Sequence, residues 1–159
     1  MSVLRPAGGS VTAPPVSAPR GHRDTAGMPE SDVAQKIRAG YLAFNDGDFD
    51  SMLHALAEDF ELHRRLGGPD DSHVIQGRDA FRQYLEPDVF STMRSEVEEV
   101  LESPGRVLIE ATTTAVGAGS GVEVTLKSWQ VWEHDGTRAH RVTLFASRAD
   151  AEAAAGLGG

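Results

Sequence analysis

The chain has 159 residues, one domain's worth, and its 40% apolar share suffices for one modest core. Its 24 acidic against 15 basic residues leave a net charge of −9, which excludes nucleic acid backbone and anionic membrane as main partners, because both need a basic surface. It has no cysteine, which excludes a disulfide framework, thiolate catalysis and Cys-ligated metal, and no apolar run approaches the roughly eighteen residues that span a bilayer, so a soluble, cytoplasmic protein is expected.

Residues 1–30 hold five of the eight prolines and four glycines, and their apolar residues are isolated. Such a segment cannot bury enough surface to offset its chain entropy, so a disordered tail is expected. Arg5 and Pro6 interrupt it and no continuous apolar stretch follows, so it does not read as a signal peptide. Met28, just before the first patterned segment, is an alternative start. Arg5, Arg20 and Arg23 against Asp24 and Glu30 put the tail at +1, and the remainder therefore carries about −10.

The folded unit is expected over residues 31–157. Residues 31–57 predict a helix in two pieces. Ser31 suits an N-cap, with Asp32 in the first turn. Val33, Ile37, Tyr41 and Phe44 make one apolar stripe. Asn45, Asp46, Gly47 and Asp48 break the helix, with Gly47 suited to a left-handed end and Asp48 to the next cap. Phe49, Leu53 and Leu56 form a second, shorter stripe. Residues 60–65 alternate as a strand, and the run from Gly67 to Asp71 ends it. Residues 77–85 predict a third helix with Phe81, Tyr84 and Leu85 on its apolar face, stopped by Pro87. From about residue 92 the period falls to two. Strands are predicted over 93–101, 106–116, 122–133 and 138–145, separated by turn-forming residues. Residues 147–155 predict a closing alanine-rich helix with Gly156 at its end.

Helices first and strands later predict an α+β fold. The segments 41–48 (YLAFNDGD), 58–63 (EDFELH), 77–81 (GRDAF), 121–124 (GVEV), 130–136 (QVWEHDG) and 153–157 (AAAGL) carry a resemblance. Their order and spacing resemble the nuclear transport factor 2-like superfamily in its SnoaL-like, polyketide cyclase-like branch. The resemblance covers residues 31–157. It implies a cone-shaped α+β barrel, a strongly bent antiparallel sheet wrapped by three N-terminal helices around a pocket. The fold hosts isomerases, cyclases, epoxide hydrolases, dehydratases and plain binding proteins, so it does not name the chemistry.

A pocket needs convergent polar groups on an apolar wall. Simple alternation divides the closing hairpin into two faces. One carries Ser128, Gln130, Trp132, Arg141, Thr143 and Phe145. The other carries Lys127, Trp129, Val131, His140, Val142 and Leu144. The resemblance implies a homodimer through the outer sheet face, which Trp129, Val131, Val142 and Leu144 suit. By elimination the first face lines the pocket. Alternatively, Gln130 and Ser128 satisfy each other and Trp132 fills the core. His63 is a candidate acid or base at the pocket mouth. Arg64 and Arg65 follow it, and alternation lets only one of His63 and Arg64 point inward. Tyr41 and Tyr84 lie on apolar helix faces, as pocket donors or as core residues with the hydroxyl at the rim.

The ketosteroid isomerase pattern is not met. Its base falls near Arg64, its second acid near Ser128 and its tyrosine at Gly40. No carboxylate lies on the inferred pocket face of the hairpin, as a SnoaL-type cyclase would need. Glu110 is mid-strand with undecided facing. An Asp-Arg-Asp relay around a water cannot be assembled. His54 with Glu58 is a solvated couple, no metal set is found, and the run from Gly117 to Gly121 lacks the residues of a phosphate loop. Two functions are expected from these residues. One is a cofactor-independent cyclase, isomerase or dehydratase using His63, Arg141 and Tyr41, with Arg64, Tyr84, Ser128, Gln130, Trp132, Thr143 and Phe145 against the small-molecule ligand. The other is a non-catalytic ligand-binding or dimerisation module.

Overall fold

The computed structural model describes residues 30–86 and 90–157, the Asp70 side chain excepted. The expected tail and Pro87 lie outside the described residues, apart from Glu30.

Ser31 caps the first helix, α1 (Asp32–Asn45), by accepting the Ala34 N–H at 3.1 Å. Val33, Ile37 and Tyr41 are its buried stripe, with Phe44 packed at the edge. The chain turns at Gly47, whose φ of 77° suits a residue without Cβ. Asp48 then caps α2 (Phe49–Leu53) through the Ser51 N–H at 3.2 Å. The apolar pattern places Leu56 on this helix, but Leu56 opens the first strand, β1 (Leu56–Arg65). An inward strand position and a helix stripe both call for an apolar side chain there, so spacing alone does not separate them.

A single 3-10 turn at Pro69–Ser72 leads to a two-residue strand, β2 (Ile75–Gln76), too short for any alternation to announce. Helix α3 (Arg78–Leu85) follows Gly77. Four long strands come next: β3 (Phe90–Ser103), β4 (Arg106–Gly117), β5 (Glu123–His134) and β6 (Ala139–Phe145). Ser147 caps the last helix, α4 (Arg148–Ala154), and Gly156, at φ 76°, lets the Leu157 N–H reach back to the Glu152 carbonyl at 2.8 Å. No described helix is long and apolar enough to cross a membrane.

The six strands form one sheet in the order β2-β1-β6-β5-β4-β3. Neighbours are antiparallel except β1 and β6, which run parallel. That pair is the one parallel ladder in an otherwise antiparallel sheet. Register shifts in the β1/β6, β3/β4 and β5/β6 ladders mark irregularities of the kind that bends a sheet. The concave face takes α1, α2 and α3. Phe60, Leu62, Val107 and Ile109 are its fully enclosed centre.

The convex face is covered in part by α4. Leu108 and Val131 pack there on Ala151 and Ala155, with Trp129 and Phe145 at the margin. Each of those two buried side chains contributes roughly 1.5–3 kcal/mol. Arg148 pins the helix down, with Glu99 at 2.8 Å, Glu110 at 3.0 Å and Glu152 at 2.7 Å. Glu110 also meets Lys127 at 2.9 Å. Glu110 therefore faces outward and is only 13% exposed within an ion cluster, not solvated. The outer-face residues on which the homodimer expectation rests are mostly accounted for within one copy: Trp129 and Val131 pack with α4, while Val142 and Leu144 point the other way.

Candidate functional site

The concave face encloses an open cavity of about 340 Å³ between α1, α3 and the sheet. Pairing across the sheet decides which side chains see it. Gln130 pairs with Leu144 and Trp132 with Val142, while His134 pairs with Ala139. One residue, His140, is therefore extra between these two registers. Without that bulge Gln130 would pair with Thr143 and Trp132 with Arg141, as plain alternation expects. The inserted residue reverses the facing of everything after it in β6. Val142 and Leu144 enter the cavity, and Arg141, Thr143 and Phe145 turn to the convex face. The expectation that these last three line the pocket is corrected accordingly.

The same rungs continue into β1, where Leu62 pairs with Val142 and Arg64 with Leu144. Arg64 thus lines the cavity, and His63 faces away. His63 Nε2 meets the Glu61 carboxylate at 2.8 Å, and Arg141 approaches the same carboxylate at 3.6 Å. That hydrogen bond to His63 is the main reason the Glu61 carboxyl is held below its ordinary range, with Gln76 and the Arg141 charge adding to it. His63 and Arg141 are therefore brought together, but outside the cone, where neither touches a molecule in the cavity.

Tyr41, Arg64, Tyr84, Ser128, Gln130 and Trp132 are brought together on the cavity wall. The Tyr41 hydroxyl donates to Gln130 Oε1, and Gln130 Nε2 donates to Ser128 Oγ at 3.3 Å. Gln130 and Ser128 do satisfy each other, as the plainer sequence reading has it, but they do so on the cavity surface and with Tyr41 in the chain. Burial pushes the Tyr41 phenol well above its ordinary value, and the nearby Trp132 indole offsets only a part. The Trp132 N–H itself is buried without an acceptor in hydrogen-bonding geometry. Its ring stacks on Phe60 at 5.9 Å and takes the Tyr41 ring edge-on at 6.2 Å. Trp132 is thus both core and wall. At the other side Arg64 Nη1 donates to the Tyr84 hydroxyl at 2.8 Å.

Two further wall features escape the sequence reading. Ser95 is buried and shares a 2.8 Å hydrogen bond with Thr113 across β3 and β4. Asn45, read only as a helix breaker, clamps α1 to the edge strand: its side chain donates to the Ser95 carbonyl at 2.7 Å and accepts the Ser95 N–H at 2.8 Å. The Ser95 position sits in phase with Val97 and so carries an inward signal, but its partner lies on another strand. Lys36 lines the rim. Among the described residues the lining holds no Asp, Glu or His.

No curated protein matches the sequence. An NTF2-like protein of unknown function from Burkholderia pseudomallei superposes with a TM-score of 0.63 at 25% identity, covering 79% of this chain and 98% of that one. A protein from Xanthomonas campestris pv. campestris, provisionally called a polyketide cyclase, does so at 0.57 and 25%, covering 72% and 90%. TerC co-crystallised with polyporic acid gives 0.62 at 22%, covering 72% and 90%, a likeness of fold alone. The model of the SnoaL-like domain matches residues 37–142, more than half of the sequence, and the chain therefore belongs to the SnoaL-like domain family.

Proposed function

We propose that the protein binds one small, largely apolar organic molecule with acceptor oxygens inside the cone. The observation that carries this reading is the make-up of the wall. A cavity of about 340 Å³ is in the range that holds a metabolite-sized ligand. Most of its polar groups run in a strip from Arg64 and Tyr84 to Tyr41, Gln130 and Ser128, with Lys36, Ser95 and Thr113 outside it, set in an otherwise apolar surface. Such a strip orients a carbonyl or hydroxyl oxygen. TerC, a neighbour in fold, was co-crystallised with polyporic acid, which supports an oxygenated organic ligand. No cofactor is invoked.

Proton abstraction next to a carbonyl needs a base, and the described lining offers no carboxylate or imidazole to act as one. Binding is therefore the leading role. The Arg64–Tyr84 pair, at 2.8 Å, favours a second reading as a cofactor-independent isomerase, cyclase or dehydratase. In it the pair holds a developing oxyanion, and the proton leaves to water or to the substrate itself.

Native mass spectrometry of the purified protein, with a Leu144→Trp variant that fills the cavity, tests the proposal. A retained organic molecule, lost in the variant, is the expected result. A protein that carries no ligand, and whose cavity resonances no compound of a metabolite library shifts, refutes it.

A further inference from the structure

The geometry points to an organic anion as the ligand: a carboxylate, or an equally acidic enol or phenol, on a ring-sized apolar body. This rests on the binding reading above and adds the charge of the molecule.

The chain as a whole is acidic, with 24 acidic and 15 basic residues. The cavity wall inverts that balance. It carries Arg64 and Lys36 and, among the described residues, no carboxylate. The Arg64 guanidinium makes one hydrogen bond among the described residues, to the Tyr84 hydroxyl at 2.8 Å, and its Nε is buried without a partner. An acid that feels its charge is Asp71, whose oxygens accept from the Leu66 N–H at 3.0 Å and the Gly67 N–H at 2.8 Å. Asp71 makes no ion pair with it. The buried Arg64 Nε has lost hydration that nothing among the described residues replaces.

The groups around it suit a carboxylate. A guanidinium has five N–H donors, and four of those on Arg64 have no partner among the described residues. Because the Tyr84 oxygen accepts from Arg64, its own O–H remains free to donate. Tyr84 is 37% exposed, which puts this pair at the mouth. An anion there takes charge-assisted bonds from both side chains. Arg64 shares a rung with Leu144 and Gln130, so the Tyr41–Gln130–Ser128 chain begins two strands away, about 10 Å at the backbone. Between them the wall is Leu62, Leu144 and Trp132. A charged head at Arg64, an apolar ring across the middle and an oxygen at the Ser128 hydroxyl and the remaining Gln130 N–H match this arrangement.

The test compares two probes of one shape, biphenyl-4-carboxylate and biphenyl-4-carboxamide, by isothermal titration calorimetry on the full chain at neutral pH. The carboxylate is expected to bind about tenfold tighter or better, with the preference weakening as NaCl is added. Arg64→Met is expected to abolish the preference. Arg94→Met, which removes one exposed cation on β3 that is outside the cavity lining, is expected to keep it. If Arg64→Met does not fold, Tyr84→Phe is used, and the preference is expected to shrink. Equal affinity for the two probes, or a preference that survives these cavity variants, overturns the charge inference and leaves the binding reading standing. Binding of neither probe overturns both.

Discussion

Replacing Tyr41 by Phe removes one oxygen from the wall and leaves every ring contact in place. The hydroxyl is buried and donates to Gln130 Oε1, so its loss strands an amide oxygen. A stranded buried acceptor costs about 1–3 kcal/mol. Gln130 borders the cavity, where water can enter and bond to it, so the lower part of that range applies, about 1–1.5 kcal/mol. For a domain of this size the melting temperature falls by roughly 3–6 °C. Gln130→Leu alone strands the phenol instead and costs a similar amount. The double variant strands neither partner, and Ser128 loses only a 3.3 Å bond that a hydroxyl can forgo. Its cost is therefore expected to fall at least about 0.5 kcal/mol short of the sum of the singles. Urea unfolding at equilibrium, followed by circular dichroism, measures all four proteins. Singles that add within error would mean that the phenol and the amide do not interact, and the polar strip would lose its centre.

Burial also ties Tyr41 to alkaline stability. Its folded pKa lies above the ordinary 10.0, so the folded chain keeps a proton that the unfolded chain releases. This contribution is intact below about pH 10 and lost as pH rises through the folded value. Stability of the wild type is expected to fall above pH 10 more steeply than that of Tyr41→Phe, and equal slopes in urea titrations across that range would contradict the burial argument. Gly77→Ala tests the backbone ahead of α3. Gly77 has φ 92° and ψ 153°, its N–H bonds to the Phe60 carbonyl at 2.6 Å, and an added Cβ would meet open space. The cost is therefore backbone strain alone, about 1–3 kcal/mol. A variant as stable as the wild type in urea would show that the segment shifts freely.

Caps and breaks are local, and they are legible in the chain. Ser31, Asp48 and Ser147 each close a helix start through a backbone N–H three residues on, as their types and places predict. Turn residues mark the four long strands to within a few positions. Leu56 and the two-residue β2 mark the limit of local reading. Leu56 fits two periods, and β2 exists only because β1 offers it a partner.

The candidate site divides at the same boundary. That Ser128, Gln130 and Trp132 share one face follows from alternation within one strand, and so does the rule that His63 and Arg64 oppose each other. Which of those two points inward, and which half of β6 does, depends on register between strands. The single extra residue at His140 reverses that register, and it sends Arg141 outside while Arg64 stays in. Alternation has a period of two, so one inserted residue inverts every later assignment, and no composition signal marks the insertion. Likewise, α4 packs its alanines on Leu108 and Val131 and so covers part of a face that reads in sequence as free for a second copy. The chain by itself determines its elements, their order and the polar groups available. The packing of strand on strand and helix on sheet decides which of those groups share a cavity.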